Sequence, residues 1–401
     1  MLSIYSSALA AVHGKRCVEQ FLSARRLVGE VYVVAVGKAA DAMLHGARTA
    51  LDGQVRAALL ITKPGHVAAT LKDIPGIAII ESGHPLPDEA SLRAGQEMLN
   101  FISAAPNDAQ LLFLISGGTS SLVEVLPEGV DLDDLQLANQ WLLASGLDIH
   151  KMNVIRKRLS RIKGGQLAEY LHGRRVLQLL ISDVPGDNPA DIGSGLLMQD
   201  DDVSSLPSRL PEWLKAKLNC YQPSVLEHAK FIGIETYIVA SLSRALDAAA
   251  AQVNRLGYKV QLHTNPIIGN AAQVGRRLAN ELIEQPPCVH LWGGETTVVL
   301  PPNPGRGGRN QQLALAAAEV IDGHNNICLL AAGTDGVDGS GGDAGALVDG
   351  GTILRGTEQG MNSADCLSRA DTGSFLEKSG DLVNTGPTGT NVMDIVIGLK
   401  S

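Results

Sequence analysis

Six short apolar runs in this chain each lead into glycine or a polar residue, and that recurrence restricts the fold more than any other feature. Val31–Val36 is followed by Gly37-Lys38, Ile77–Ile80 by Glu81-Ser82-Gly83-His84, and Leu111–Ile115 by Ser116-Gly117-Gly118-Thr119-Ser120-Ser121. Val176–Ile181 is followed by Ser182-Asp183, Val289–Trp292 by Gly293-Gly294-Glu295, and Cys328–Ala331 leads to Gly333-Thr334-Asp335. Ala58–Thr62, Thr236–Ala240, Lys259–Leu262 and Val392–Ile397 complete the strand candidates. Several are apolar throughout, as buried parallel strands covered on both faces should be. Helical patterns lie between them at Ala39–Ala50, Asp88–Ile102, Leu242–Arg255 and Ala271–Ile283. This alternation predicts an α/β fold built on doubly wound sheets. In such sheets ligands bind outside the carboxyl ends of the strands, so the six endings are the candidate functional loops.

The chain is long for one core, which makes two domains the default. The weakest stretch, Met198–Pro223, carries the acidic QDDD, three prolines and no strand signal, and the first domain is expected to end near Ile234. The expected domains are therefore 1–234 and 235–401. Aromatic residues are only 3% of the composition, so the cores must rest on Ala, Val, Ile and Leu. A net charge of −9 gives no general pull toward nucleic acid or anionic membrane. Five scattered cysteines without a C-x-x-C pair support neither a zinc cluster nor a disulfide framework, and they fit a reducing, cytoplasmic setting. The amino terminus, MLSIYSSALAAVHGKRC, has no basic residue ahead of its apolar part and reads as an amphipathic helix. No apolar run approaches the length of a membrane span.

Among the loops, SGGTSS combines glycines, which let backbone N–H groups converge, with hydroxyl donors, the chemistry of a phosphate cradle. The same residues equally suit an ordinary βα connection with a Ser/Thr cap. Lys38 stands before a helix whose dipole it opposes, which favours a role on an anionic oxygen over a cap. Asp183, Asp335 and Asp338 can hold Mg²⁺, accept a hydroxyl proton or make Asx-turns, and for any single aspartate the turn is the safer reading. Glu295, beside Gly293-Gly294, is a stronger candidate because no turn asks for glutamate. The basic run from Lys151 to Lys163 places Met152, Ile155, Leu159 and Ile162 at helical spacing, so its six cations are expected on a solvated face. GRGGRNQQLALAAA mounts Arg306 and Arg309 among glycines ahead of an apolar-periodic helix, an arrangement suited to an anion. No Walker motif is present, and the one G-x-G-x-x-A match, at Gly339–Ala344, lies in a glycine-rich loop well past its strand.

Taken in order, VAVGKAADAM, ESGHPLPDEAS, LISGGTSSL, MNVIRKRLSRIKGGQLA, ISDVPGDNPADIGSG, GGETTV, GRGGRNQQLALA, AAGTDGVDGSGGDAGALVDGGT and NTGPTGTNVMDIVIGL resemble the class II glycerate kinases. The resemblance spans about Val31 to Gly398. It implies an amino-terminal Rossmann-like domain, a carboxy-terminal mixed-sheet α/β domain with a cleft between them, and ATP and Mg²⁺ acting on D-glycerate. Lys38 and Arg309 match basic residues associated with phosphoryl transfer, and SGGTSS, SDVPGD, GGETT, GTDG and GPTGTN match cleft motifs. On this basis Lys38, Arg309 and Asp183 are expected to be catalytic. Ser116, Gly117, Gly118, Thr119, Ser120, Gly293, Gly294, Glu295, Thr388 and Asn391 are expected on the nucleotide. His84, Arg306, Asn310 and Asp335 are expected on glycerate, and Asp183 and Asp335 on the metal. The chain departs from the family pattern at Leu196-Leu197 and at Arg158. Some relatives carry the label hydroxypyruvate reductase, so an NAD(P)H-dependent reductase is the alternative. A small-molecule partner is expected, with no nucleic acid or membrane, and a homodimer is one option.

Overall fold

Uninterrupted apolar runs form the middle of the first sheet, where both faces are covered. In the computed structural model, which describes all residues except 26, 73, 146, 148, 200–205, 208, 224, 225 and 340, β1 (Val31–Val36) and β5 (Val176–Ile181) have the bounds their sequence predicts. With β2 (Val55–Thr62), β3 (Ile77–Glu81), β4 (Gln110–Ile115) and β6 (Ile234–Ala240) they make a sheet of order β3-β2-β1-β4-β5-β6. The pairs from β3 to β5 are parallel, and β1 registers on β4 from Val31 opposite Gln110 to Val36 opposite Ile115. The order reverses between β1 and β4, which makes their carboxyl ends the switch point of a doubly wound sheet. The helix Glu89–Ala104 starts at a capping box: Asp88 accepts from the Ser91 N–H at 2.9 Å while Ser91 Oγ accepts from the Asp88 N–H at 3.1 Å. Its buried face, Ala94, Met98 and Ile102, packs against β2 and β4 through Leu59, Leu111 and Phe113.

The second sheet is mixed. Among the described residues it joins β7 (Val260–Leu262), β8 (Ile267–Asn270), β9 (Cys288–Thr297), β10 (Ile327–Gly333), β11 (Gly345–Asp349), β12 (Leu382–Val383) and β13 (Asp394–Lys400). β13 runs antiparallel between β9 and β10, whereas β7 and β8 pair with β9 in parallel. The apolar helix Arg309–Val320 packs on one face with the helix Ala271–Glu284. β8, β11 and β12 carry no sequence signal: they are two to five residues long and two of them contain glycine.

Contacts divide the chain into one unit of Gly14–Val239 and another of Met1–His13 with Ala240–Ser401. The first helix, Leu2–Val12, thus joins the second unit, packing on the helix Leu242–Arg255. Tyr5 is 1% exposed and donates to the Gly333 carbonyl at 2.6 Å, and Thr390 donates to the Val12 carbonyl at 2.7 Å.

Two sequence expectations need correction. The basic run is not one helix with all its charges outward: the helix ends at Arg158, the chain turns so that the Arg161 N–H reaches the Val125 carbonyl at 2.8 Å, and Lys163 is buried. Gly293, Gly294 and Glu295 do not follow a strand end; they lie within β9, which continues to Thr297. The unusual Leu196 and Leu197 are core residues, 2% and 1% exposed beside Ile192. The acidic QDDD and Ser340 of the G-x-G-x-x-A match fall at least partly on residues outside those described.

Because Tyr5 anchors the amino terminus in the second unit, Tyr5→Ala should cost about 3–5 kcal/mol through the lost ring. Hydrogen exchange should then accelerate in β10 and β13 and stay unchanged in β1 and β4. Equal acceleration in both sheets would contradict the assignment.

Candidate active site

In the first unit the ends of β1 and β4 are tied to each other. The Lys38 N–H donates to the Gly117 carbonyl at 2.9 Å, and the Ala39 N–H to Ser116 Oγ at 3.0 Å. Thr119 Oγ1 donates to the Ser116 carbonyl at 2.7 Å. Ser116 and Thr119 are fully buried, so two hydroxyls that the sequence offers as phosphate donors instead hold the loop's shape. Gly118, at φ +89°, is where the predicted residues meet. A Cβ there would lie 2.9 Å from the His84 ring and 3.4 Å from Lys38 Cγ, so only glycine lets all three share the space. Ser120 and Ser194 hydroxyls are 2.6 Å apart. Asp183, half-buried, follows β5, the neighbour of β4, and so emerges along the same sheet end.

Beneath this loop lies a buried ion pair that sequence reasoning missed. Lys163, 3% exposed, pairs with Glu124, 0% exposed, and its Nζ also donates to the Ser120 carbonyl at 2.8 Å. Ser160 Oγ donates to the other carboxylate oxygen. Burying two charges costs several kcal/mol of desolvation, which their pairing and the added hydrogen bonds must offset. The result fixes the backbone of Ser120. The only sequence signal was Lys163 itself, hidden in a run of other cations.

The second unit gathers its own set. Arg309, the first residue of its helix, donates from Nε and Nη2 to both oxygens of Asp394, the Nη2 bond being 2.8 Å, and its Nη1 lies 3.1 Å from Glu295. Burial opposes the guanidinium charge, but Asp394 and Glu295 raise its pKa above the ordinary arginine value. Asp394 is 2% exposed, whereas Glu295 is half-exposed. Asp338 accepts from the backbone N–H groups of Asn310 (3.0 Å) and Gln311 (2.8 Å), so this carboxylate occupies the helix start that the sequence offered to an external anion. Gly308 is required by that cap: a Cβ there would lie 2.3 Å from the Asp338 carboxyl carbon. Burial pushes the Asp338 carboxyl up to about 7, with the two N–H groups acting against the rise.

Arg306 donates to the Gly373 carbonyl at 3.0 Å and to Glu377 at 2.8 Å, which ties the loop to the helix Thr372–Ser379. Asp335 is 7% exposed and accepts from the Val337 N–H at 3.1 Å, an Asx-turn as its position suggested. Thr388 donates to the Thr334 carbonyl, and Thr334 donates to the Met393 carbonyl at 2.6 Å, so the segment holding Thr388 and buried Asn391 closes over the end of β10. Burial, with the charges of Asp335 and Asp394, pushes the Tyr5 phenol above its usual range. Asn310 Oδ1 and both amide atoms of Gln311 are buried without a partner in the structure. Asp394 and Tyr5 were not found from the sequence. Neither sits at a strand end of the expected kind, and Tyr5 lies over three hundred residues from its partner.

Comparison with known proteins bears on the family and the fold. Residues 1–228 match the family described as a domain of unknown function, DUF4147, and residues 288–394 match the MOFRL family. A D-glycerate 2-kinase of Thermotoga maritima is 34% identical over 99% of this chain and 97% of its own length. A putative hydroxypyruvate reductase of Agrobacterium vitis is 36% identical over 98% of this chain and 92% of its own. The crystal structure of glycerate kinase from Thermotoga maritima superposes with a TM-score of 0.84 at 34% identity, covering 100% of this chain and 98% of that one.

Two stability measurements check the buried charges. Lys163→Met should cost about 3–5 kcal/mol by stranding Glu124, and adding Glu124→Leu should recover much of it in denaturant titrations. An equal or greater loss in the double variant would contradict this. Asp338 ionises near 3.9 when unfolded and only near 7 when folded, so the native state holds its proton more tightly. Its contribution is fully present below about pH 4 and is lost as pH rises to about 7. Wild-type stability measured relative to Asp338→Asn should therefore fall across that interval, and a flat difference would contradict the shift.

Proposed function

Since the chain belongs to the glycerate kinase family, with its DUF4147 and MOFRL parts, we propose that it transfers the γ-phosphoryl group of ATP to the 2-hydroxyl of D-glycerate. The products are 2-phosphoglycerate and ADP. The observation that carries the reading most is the state of Arg309. Asp394 holds two of its nitrogens and fixes the plane, which leaves the Nη1 edge facing a half-exposed Glu295. An incoming phosphoryl group carries more charge than a carboxylate and displaces Glu295 there, while Asp394 keeps the guanidinium aimed. Phosphoryl transfer asks the protein chiefly for positioned positive charge, and Arg309 with Lys38 supplies it.

The donor set suits Mg²⁺. Asp183, Asp335 and Glu295 offer carboxylate oxygens, whereas Asp338 and Asp394 are committed to the helix start and to Arg309. Asp335 is the residue assigned to the ion, with Asp183 as the second ligand. When bound, Mg²⁺ supplies Lewis-acid stabilisation of the phosphate oxygens. Asn310 Oδ1, buried and unpaired, accepts a glycerate hydroxyl in this scheme, and His84 beside Lys38 meets its carboxylate. The backbone of the Ser116–Ser120 loop and Gly293–Glu295, with Thr388 and Asn391, are assigned to the nucleotide, while the Ser116 and Thr119 hydroxyls shape that loop. Arg306 is left to hold its loop.

The reductase reading has one observation in its favour: β3-β2-β1-β4-β5-β6 is the order of dinucleotide-binding sheets. The turn after β1 nevertheless reads Gly37-Lys38-Ala39-Ala40, without the glycines that admit a pyrophosphate. ATP with D-glycerate should release ADP, while hydroxypyruvate with NAD(P)H should leave the nicotinamide absorbance unchanged. The reverse pattern would overturn the proposal. Arg309→Ala should lower kcat about 100-fold or more while ATP binding changes only a few-fold, and Arg309→Lys should not rescue it, because lysine lacks the fork that Asp394 holds. Near-normal turnover in either variant would remove Arg309 from the reaction.

A further inference from the structure

A second cluster of chemically capable side chains lies in the carboxy-terminal unit and has no part in the kinase scheme. Strand alternation puts Cys288, His290 and Trp292 on one face of β9. The helix Ala271–Glu284 covers that face, with Leu282 packed beside Trp292 at Gly398, and it presents Glu281. His263 enters from the end of β7, held by its N–H on the Leu291 carbonyl at 3.0 Å. His290 is fully buried, and its Nδ1 lies 3.1 Å from His263 Nε2. Glu281 Oε1 is 3.9 Å from His263 Nδ1, and one ligand atom from each of His263, His290 and Glu281 falls within 4.8 Å of the others.

We propose that His263, His290 and Glu281 form a binding site for a divalent transition metal ion of the zinc class. Two imidazole nitrogens and one carboxylate are a borderline-soft set that magnesium and calcium disfavour. Three protein ligands also leave a fourth position open to water or a small ligand. With metal–nitrogen bonds of about 2.0–2.1 Å, adjacent ligand nitrogens sit roughly 3.3 Å apart, close to the 3.1 Å between His290 Nδ1 and His263 Nε2. His290 Nε2 lies 3.0 Å from Cys288 Sγ, and donation there leaves Nδ1 as the coordinating atom. Trp292 lies nearly parallel to both rings, at interplanar angles of 18° and 14° and centroid distances of 4.7 and 5.3 Å. His263 and Glu281 are partly exposed, which gives an ion a way in. The sequence hides the site because its ligands come from a strand end, a helix and a second strand, without motif spacing.

The test uses the full chain, stripped with chelator and titrated with Zn²⁺ by calorimetry and with Co²⁺ by visible absorption and tryptophan fluorescence. One equivalent should bind, Co²⁺ should give visible d–d bands, and its binding should quench a signal that Trp292→Phe removes. His263→Ala and Glu281→Gln change partly exposed residues and should fold. Each should weaken Zn²⁺ binding by more than the about 10–100-fold that loss of an outer partner costs. Failure to bind Zn²⁺ up to millimolar concentration would overturn the proposal, as would equal binding by the His263→Ala/Glu281→Gln double variant. ADP release from ATP and D-glycerate, measured on the same preparations, reports on the kinase reading separately.

Discussion

Asp338 sets a buried carboxylate against the first free N–H groups of the helix Arg309–Val320, and the chain ahead of that helix must follow a path that leaves room for it. Gly308 exists at that point because any side chain would occupy the place of the carboxyl. Asp371 and Thr372 fill the corresponding spaces beside Gly305 and Gly307. With the helix start fixed in this way, Arg309 projects toward Asp394 at the beginning of β13 and Glu295 within β9, two antiparallel neighbours. The orientation of the guanidinium therefore follows from a helix cap and a strand register, both set by backbone hydrogen bonding.

The first unit uses a similar device with different residues. Its loop after β4 is held from the side by the hydroxyls of Ser116 and Thr119 and from below by Lys163, which is itself neutralised by Glu124. In both units a buried charge stabilises a loop. That suits a reaction in which little covalent chemistry is asked of the protein, because a positioned backbone and an aimed cation are what such a reaction needs. It also accounts for the clustering of glycine, since close approach by carboxylates and rings leaves no space for Cβ atoms.

The sequence made the first sheet almost fully legible. Strands covered on both faces are apolar throughout, and β1 and β5 were bounded to the residue by that pattern. The second sheet was less readable, because β8, β11 and β12 are short or glycine-containing and their pairing depends on β9 and β13. The strand-end positions of Lys38, the SGGTSS loop and Asp335 could be read from the sequence alone. Arg309 came from its glycine-rich setting and the family resemblance. What it touches did not: a helix start reads the same whether the anion is a phosphate or the chain's own Asp338. Lys163 and Tyr5 were invisible for a different reason. A buried lysine looks like its solvated neighbours until its partner is known, and a tyrosine in the first helix gives no hint of a partner at Gly333.

The central claim is that the chain phosphorylates the 2-hydroxyl of glycerate, and the identity of the product tests it most directly. D-glycerate and ATP should be supplied with the protein and with enolase alone, omitting any mutase, while phosphoenolpyruvate absorbance is followed. The account predicts an immediate rise, because 2-phosphoglycerate is enolase's own substrate. ADP release without that rise, restored only when a mutase is added, would place the phosphoryl group on the 3-hydroxyl and contradict the account.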